Sequence, residues 1–350
     1  MSGWPHPDFL ARIGAKVPIV QAPMAGAGGV DLCVAAIQGG GLGSLPCAML
    51  TPEQVRDQTA EVRRRATGPL NLNFFCHTMP EEVDDSAWRA LLQPYYEEYR
   101  VEPGPPGPLR RPFDAAACEA VEEVRPEVVS FHFRLPEESL LARVRDSGAL
   151  ILSSATTVAE ARWLAERGVD AVIAQGFEAG GHTARFLPGG EPVGLIALLP
   201  RISDAVEVPV IAAGGIADAR GIAAAFLLGA SAVQLGTAYL HCPEAEISAA
   251  QRAALHDYDT LFTNLLTGGL ARGIPGRLVR ELGPVRAEAP PYPLAADALA
   301  PLRKAAEAQG EYGFGPMWAG QAAALGRPEP AAALTRRVAA EALALLGRGA

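Results

Sequence analysis

Cysteine is sparse in this chain, and what there is forms no pattern. Cys33, Cys47, Cys76, Cys118 and Cys242 are odd in number, scattered and free of any C-x-x-C spacing. A disulfide framework and a structural metal centre are both unsupported by that distribution, and reduced thiols are expected. The neighbours Cys76 and His77 do not alter this, because two ligands without partners read as packing; no residue is assigned to a metal. Runs of lysine or arginine are also missing, and the formal net charge is −9. That balance excludes a broad polyanion-binding face, so nucleic acid is not an expected partner. Arg63 to Arg65 reads as a solvated helix end. No apolar stretch is long enough to cross a bilayer, so no membrane association is expected. The opening MSGWPHPDFLARIGAK lacks a positive region followed by an apolar core and a cleavage site, which makes a cytoplasmic location the expectation. Nor is there a repeat of fixed period beyond a strand–helix alternation.

That alternation is the main positive signal. Of 350 residues, 49% are hydrophobic and 20% charged, ample for a large core. Short, continuously apolar runs predict strands at Pro18 to Met24, Gly41 to Leu45, Leu70 to Phe75, Val128 to Phe133, Ala149 to Ala155, Ala171 to Gly176, Pro209 to Gly215 and Ala232 to Thr237. Continuous rather than alternating apolarity fits parallel strands covered on both faces. Helical patterns lie between them. One begins at Thr51, a good N-cap followed by Pro52 and Glu53; others run from Thr157 to Gly168 and from Asp218 to Gly229. Eight strand-then-helix units predict an α/β fold, a (β/α)8 TIM barrel, with an open doubly wound sheet as the alternative. Two regions break the rhythm. Cys76 to Pro126, with YYEEYR and the turn-rich EPGPPGPLRRP, reads as a surface insertion. From His241 the barrel pattern stops. The expected organisation is a barrel over 1–240, a lid or small subdomain over 241–300, and closing helices over 301–350.

In such a barrel, chemistry sits where strands end on the C-terminal face. Polar residues at strand ends stand out there: Gln21 before Ala22, Pro23 and Met24, then Asn71 and Asn73, Ser130 and His132, and Gln175. A buried amide or imidazole is costly unless something binds it. Gly214 and Gly215 after the seventh strand, with Gly236 and Thr237 after the eighth, allow backbone N–H groups to close on a phosphate; ordinary turns are the competing reading. In QGFEAGGH, Gly180 and Gly181 remove side chains where a flat ligand could press on the backbone. Gln175 could meet the polar edge of a heterocycle. His182 would project over the ligand as a proton acceptor or a donor to an anion, unless it is simply a loop histidine bonded to backbone.

QAPMAG, VSFHF followed by LP, QGFEAGGH, VPVIAAGGIAD and VQLGTAYL occur in the order found in nitronate monooxygenases, once called 2-nitropropane dioxygenases. The chain resembles that family from about Pro18 to Leu240, and on through ARGIPGRLVRELG and PMWAGQ. The resemblance implies an FMN-dependent enzyme that oxidises alkyl nitronates, such as propionate 3-nitronate, with O2 to a carbonyl compound and nitrite, by one-electron transfer through an anionic flavin semiquinone. It implies His182 and His132 as catalytic residues. FMN contacts are implied for Ala22, Pro23, Met24, Asn73, Gln175, Gly180, Gly181, Gly214, Gly215, Gln234, Leu235, Gly236 and Thr237. Ser130 and Lys304 are implied on the substrate side, and a monomer or homodimer is expected. Thr183, Ala184, Arg134 and Gly269 depart from the family pattern, the last replacing a common arginine, and they bear on the substrate. The competing functions are an NAD(P)H-dependent quinone or enoyl-thioester reductase on the same flavin barrel, a flavin-free phosphate-binding isomerase or synthase, and a protein that merely holds FMN.

Overall fold

A computed structural model describes residues 3–80, 84–104, 110–257 and 259–347. All eight expected strands form: β1 (Ile19–Gln21), β2 (Gly43–Pro46), β3 (Leu70–Phe75), β4 (Val128–His132), β5 (Leu150–Ala155) and β6 (Ala171–Gln175), then β8 (Val210–Ala213) and β9 (Ala232–Leu235). A two-residue strand, β7 (Gly181–His182), lies between β6 and β8 in the chain and belongs to another sheet. The eight pair in parallel in the order β1-β9-β8-β6-β5-β4-β3-β2. Leu42, just before β2, closes the circle on β1: its N–H donates to the Ile19 carbonyl at 2.9 Å and its carbonyl accepts from the Gln21 N–H at 2.9 Å. An open doubly wound sheet would leave two unpaired edges, and this one is joined, so the fold is a TIM barrel.

Local signals explain the helices between the strands. Thr51 caps Pro52–Arg65 with a reciprocal box: its hydroxyl accepts from the Gln54 N–H at 3.2 Å, and the Gln54 side chain accepts from the Thr51 N–H at 2.9 Å. Asp218 caps Ala219–Leu227. The final helix, Ala331–Leu345, packs on Ala219–Leu227 and Val30–Gln38, and Tyr239 reaches it through a 2.7 Å bond to the Thr335 hydroxyl.

A second apolar cluster stands apart from the barrel core. Helix Ser86–Tyr99, from the long segment after β3, packs against helix Ala295–Ala308. Trp88 Nε1 donates to the Ala295 carbonyl at 3.2 Å, and the Tyr96 hydroxyl donates to the Ala298 carbonyl at 2.6 Å. Within YYEEYR, Tyr95 and Tyr96 are buried in this cluster while Glu97, Glu98 and Arg100 are exposed, so the stretch is more than a surface insertion. Part of EPGPPGPLRRP lies outside the described residues. A small antiparallel sheet, β10 (Leu261–Thr263), β11 (Ala271–Gly273) and β7, joins the segment after the barrel to the QGFEAGGH loop, with Ala271 opposite His182. Among the described residues no helix is long and apolar enough to cross a membrane.

Candidate functional site

The C-terminal strand ends surround a cavity of about 470 Å³, within the range of small-ligand sites. Fifteen of the residues singled out in the sequence line it: Ala22, Pro23, Met24, Asn73, Ser130, His132, Gln175, Gly180, Gly181, His182, Gly214, Gly215, Gln234, Gly236 and Thr237. Leu235 does not. Its side chain points into the barrel core, and only its carbonyl is near, accepting from the Ala22 N–H at 2.8 Å. Lys304 is exposed and lines nothing; on the same helix it is Arg303 that reaches the cavity. Adjacent helical residues point about 100° apart, so a one-residue step decides which cation faces in. Gln21 and Asn71 are occupied within the barrel, Gln21 Oε1 accepting from the Ser44 N–H at 2.8 Å and Asn71 donating to the Ser44 hydroxyl at 3.0 Å.

The histidines are held from several directions. The His182 carbonyl accepts two bonds, from His132 Nε2 at 3.1 Å and from Gln175 Nε2 at 3.0 Å. A carbonyl has no proton to give, so His132 carries its hydrogen on Nε2. The other end of the Gln175 amide accepts from the Ala184 N–H at 2.6 Å. Gln175 thus clamps the loop at both ends of its amide, with one of its hydrogens left for a ligand. The same loop is anchored from behind by Glu160, a fully buried carboxylate that accepts from the Phe186 and Leu187 N–H groups at 2.7 and 3.0 Å. Asn73 donates to the Ser130 hydroxyl at 2.9 Å, fixing β3 to β4 beside His132.

The His182 ring sits at 2.8 Å from the Thr267 hydroxyl through Nε2. Tyr292, Trp318, Phe133 and Phe75 surround it with ring centroids 5.1, 5.5, 6.0 and 6.2 Å away. Phe133 takes φ 79°, a left-handed conformation costing a bulky residue about 1–3 kcal/mol. Burial in this cage lowers the His182 pKa to about 3, with the charges of His132, Arg110 and His77 adding to the effect. Burial likewise lowers that of His132 to about 4, against the opposing bond to the His182 carbonyl. Both imidazoles are neutral at physiological pH. Thr267, Tyr292, Trp318 and Arg110 were not picked out by the sequence reading. PMWAGQ, part of the resemblance, contains Trp318, and Thr267 stands two residues before Gly269; nothing local marked Tyr292.

These shifts predict an acid-sensitive fold. Both folded values lie below the ordinary 6.5, so the unfolded chain binds more protons and stability falls as pH drops below about 6.5. The loss attributable to the pair between pH 6.5 and 4.5 is about 4 kcal/mol. Urea unfolding of the wild type and of a His132→Gln/His182→Gln double variant, at both pH values, measures it; equal pH slopes would contradict the assignment.

Three glycines on the rim have no substitute. Gly214 and Gly215 have φ 109° and 69°. A Cβ on Gly214 would lie 3.0 Å from the Ala179 nitrogen, and one on Gly180 only 2.5 Å from the Ala319 carbonyl carbon. Gln234 Oε1 is buried with no hydrogen-bond partner, an acceptor left facing a cavity.

A family model described as "Nitronate monooxygenase" matches residues 8–341. The chain belongs to the nitronate monooxygenase family. It is 40% identical over 348 residues to a nitronate monooxygenase of Paraburkholderia phytofirmans, covering 95% of this chain and 94% of that one. Identity to the nitronate monooxygenase of Pseudomonas aeruginosa is also 40%, over 95% of this chain and 98% of the relative. Among solved structures it resembles a nitroalkane oxidase from Streptomyces ansochromogenes, with a TM-score of 0.88, 36% identity, and 94% and 96% of the two chains covered. The protein is accordingly an oxidoreductase, and the QGFEAGGH loop of this nitronate monooxygenase family member lies on the cavity wall.

The residues expected to depart from the family pattern fall in different places. Arg134 is exposed, and Thr183 and Ala184 lie behind β7, where the Thr183 N–H donates to the Leu270 carbonyl at 3.0 Å and Ala184 is buried. None of the three lines the cavity. Gly269 alone touches the site, since a Cβ there would come 3.1 Å from His182 Cδ2 and 3.3 Å from Tyr292 Cδ2.

Proposed function

We propose that this protein oxidises alkyl nitronates with O2 to carbonyl compounds and nitrite, using FMN held at the strand ends. The observation that carries the reading is His182, an imidazole caged by aromatic rings on the wall of a cavity that Gly214 and Gly215 also line. The site fits the cofactor. The cavity has the volume, the left-handed Gly214 and Gly215 leave backbone N–H groups free of side-chain cover where a phosphate would rest, and the partnerless Gln234 Oε1 suits the N–H of a flat heterocycle.

Bound FMN would supply the one-electron and O2 chemistry that side chains lack. The chain's own contribution is placement and charge. Gln175 and His132 fix the His182 backbone by two bonds to one carbonyl, and Thr267 fixes the ring. His182 is a weak base, so hydrogen bonding to the oxygens of a preformed nitronate suits it better than removal of an α-proton from a neutral nitroalkane. The ring cage around it excludes water from the reacting group.

Oxygen uptake and nitrite release on addition of propyl-2-nitronate test the proposal, with NADH under nitrogen as the control. Turnover of nitronate without NADH is expected. Rapid bleaching of the flavin by NADH, with no nitronate turnover, would move the chain to the reductase reading.

A further inference from the structure

An anion entering this cavity needs a compensating charge. Taking a unit negative charge out of water is costly unless a cation or several donors meet it. The two histidines cannot supply positive charge, because both are neutral. Arg303 lies on the wall but is paired with Glu307 at 2.7 Å. Arg272 is buried between the rings of Phe177 and Phe262, with its guanidinium bonded to the Phe177 and Thr260 carbonyls. Arg110 is different. It lines the cavity, no carboxylate among the described residues pairs with it, and its charge and side-chain hydrogen bonding act on the neighbouring Tyr292 hydroxyl. Its backbone is tied to the end of β3: the Arg110 carbonyl accepts from His77 Nε2 at 3.0 Å, and three residues on, the Phe113 N–H donates to the Phe75 carbonyl at 2.8 Å. His77, bonded to the Arg110 carbonyl, packs on Tyr292 with ring centroids 4.9 Å apart, and Tyr292 packs on His182 at 5.1 Å, which puts Arg110 on the histidine side of the cavity. Gly269 leaves the space between His182 and Tyr292 clear of any side chain of its own.

We propose that Arg110 is the specificity-determining residue of this site, its guanidinium pairing with the negative charge of the substrate so that the nitronate is taken in preference to the neutral nitroalkane. The inference rests on the proposed nitronate oxidation and deepens it. Arg110 meets the charge as a planar fork suited to a planar, two-oxygen head group, and His182 addresses the same group as an uncharged hydrogen-bonding partner. The residue comes from EPGPPGPLRRP, which on sequence alone reads as a surface turn.

Two variants and two probes test it. Nitrate, a planar anion that cannot be oxidised by O2, is titrated calorimetrically into wild type, Arg110→Gln and Arg110→Lys. Alongside, KM and kcat are measured for propyl-2-nitronate and for neutral 2-nitropropane. Arg110→Gln is expected to raise the nitrate Kd and the nitronate KM about ten-fold or more, with kcat within about three-fold of wild type and the nitroalkane KM changed less than about two-fold. Arg110→Lys, which keeps the charge and loses the fork, should fall between and carries the test should the glutamine variant fail to fold. The proposal is overturned if wild type does not bind nitrate, if the variants bind it as wild type does, or if KM rises equally for both substrate forms. Nitrate binding that depends on Arg110 in a protein that oxidises no nitronate would instead leave Arg110 as an anion receptor and remove the proposed function.

Discussion

His182→Asn lowers kcat/KM for propyl-2-nitronate by about 100-fold or more and leaves the cofactor in place. The expected size follows from the geometry. Asparagine retains a polar group, but its amide is shorter than the imidazole and cannot reach both Thr267 and a ligand. The clamp on the loop survives the change, because Gln175 and His132 hold the residue's backbone carbonyl rather than its side chain. The effect should therefore be confined to the reacting group. Thr267→Ala, which frees the ring without removing it, is expected to cost about ten-fold, since it relaxes orientation alone. Wild-type rates in His182→Asn with flavin still bound would remove the imidazole from the chemistry.

The second large effect concerns the proposed FMN. Gly214→Val should reduce cofactor occupancy to below about one tenth of wild type, because the residue is strained and crowded at once. Its φ of 109° is closed to β-branched residues, and the new Cβ would approach the Ala179 nitrogen at 3.0 Å and the Gly176 carbonyl at 3.2 Å. Backbone must shift at the rim where the phosphate would rest. Gly181→Ala is the informative contrast. Its φ of 78° is also left-handed, but a Cβ there meets nothing within 4 Å. It should cost only the backbone preference, about 1–2 kcal/mol of stability, and retain the flavin. Flavin content per chain in the purified variants distinguishes the two, and equal retention in both would argue against a phosphate at Gly214.

Much of this was legible in the sequence for a physical reason. A parallel strand covered on both faces must be apolar throughout, so LNLNFF, AVIAQ and VIAA announce themselves, and any polar residue at their ends is conspicuous. Asn73, Ser130, His132 and Gln175 were found that way. What such a residue touches is another matter. The Gln175 amide could have met a ligand or the backbone, and only the folded loop shows that Ala184 and His182 occupy most of it. Lys304 and Arg303 are neighbours whose facing depends on helix phase. Arg110 stands in a proline-rich stretch of sequence with no periodicity, and only the fold shows it lining the cavity with its carbonyl bonded to His77. Tyr96 meets Ala298 some two hundred positions on, a contact with no local trace. Nothing local marks Arg272 either, and its burial between two phenylalanines appears only in three dimensions.

The visible spectrum of the purified protein tests the central claim most directly: recorded as isolated, then with propyl-2-nitronate added under nitrogen, then after admitting air. The account predicts a yellow protein carrying FMN in a 1:1 ratio, a flavin spectrum that changes when nitronate is added without oxygen, and recovery of the starting spectrum in air. A colourless protein that takes up no added FMN, or a bound flavin indifferent to nitronate, would contradict it.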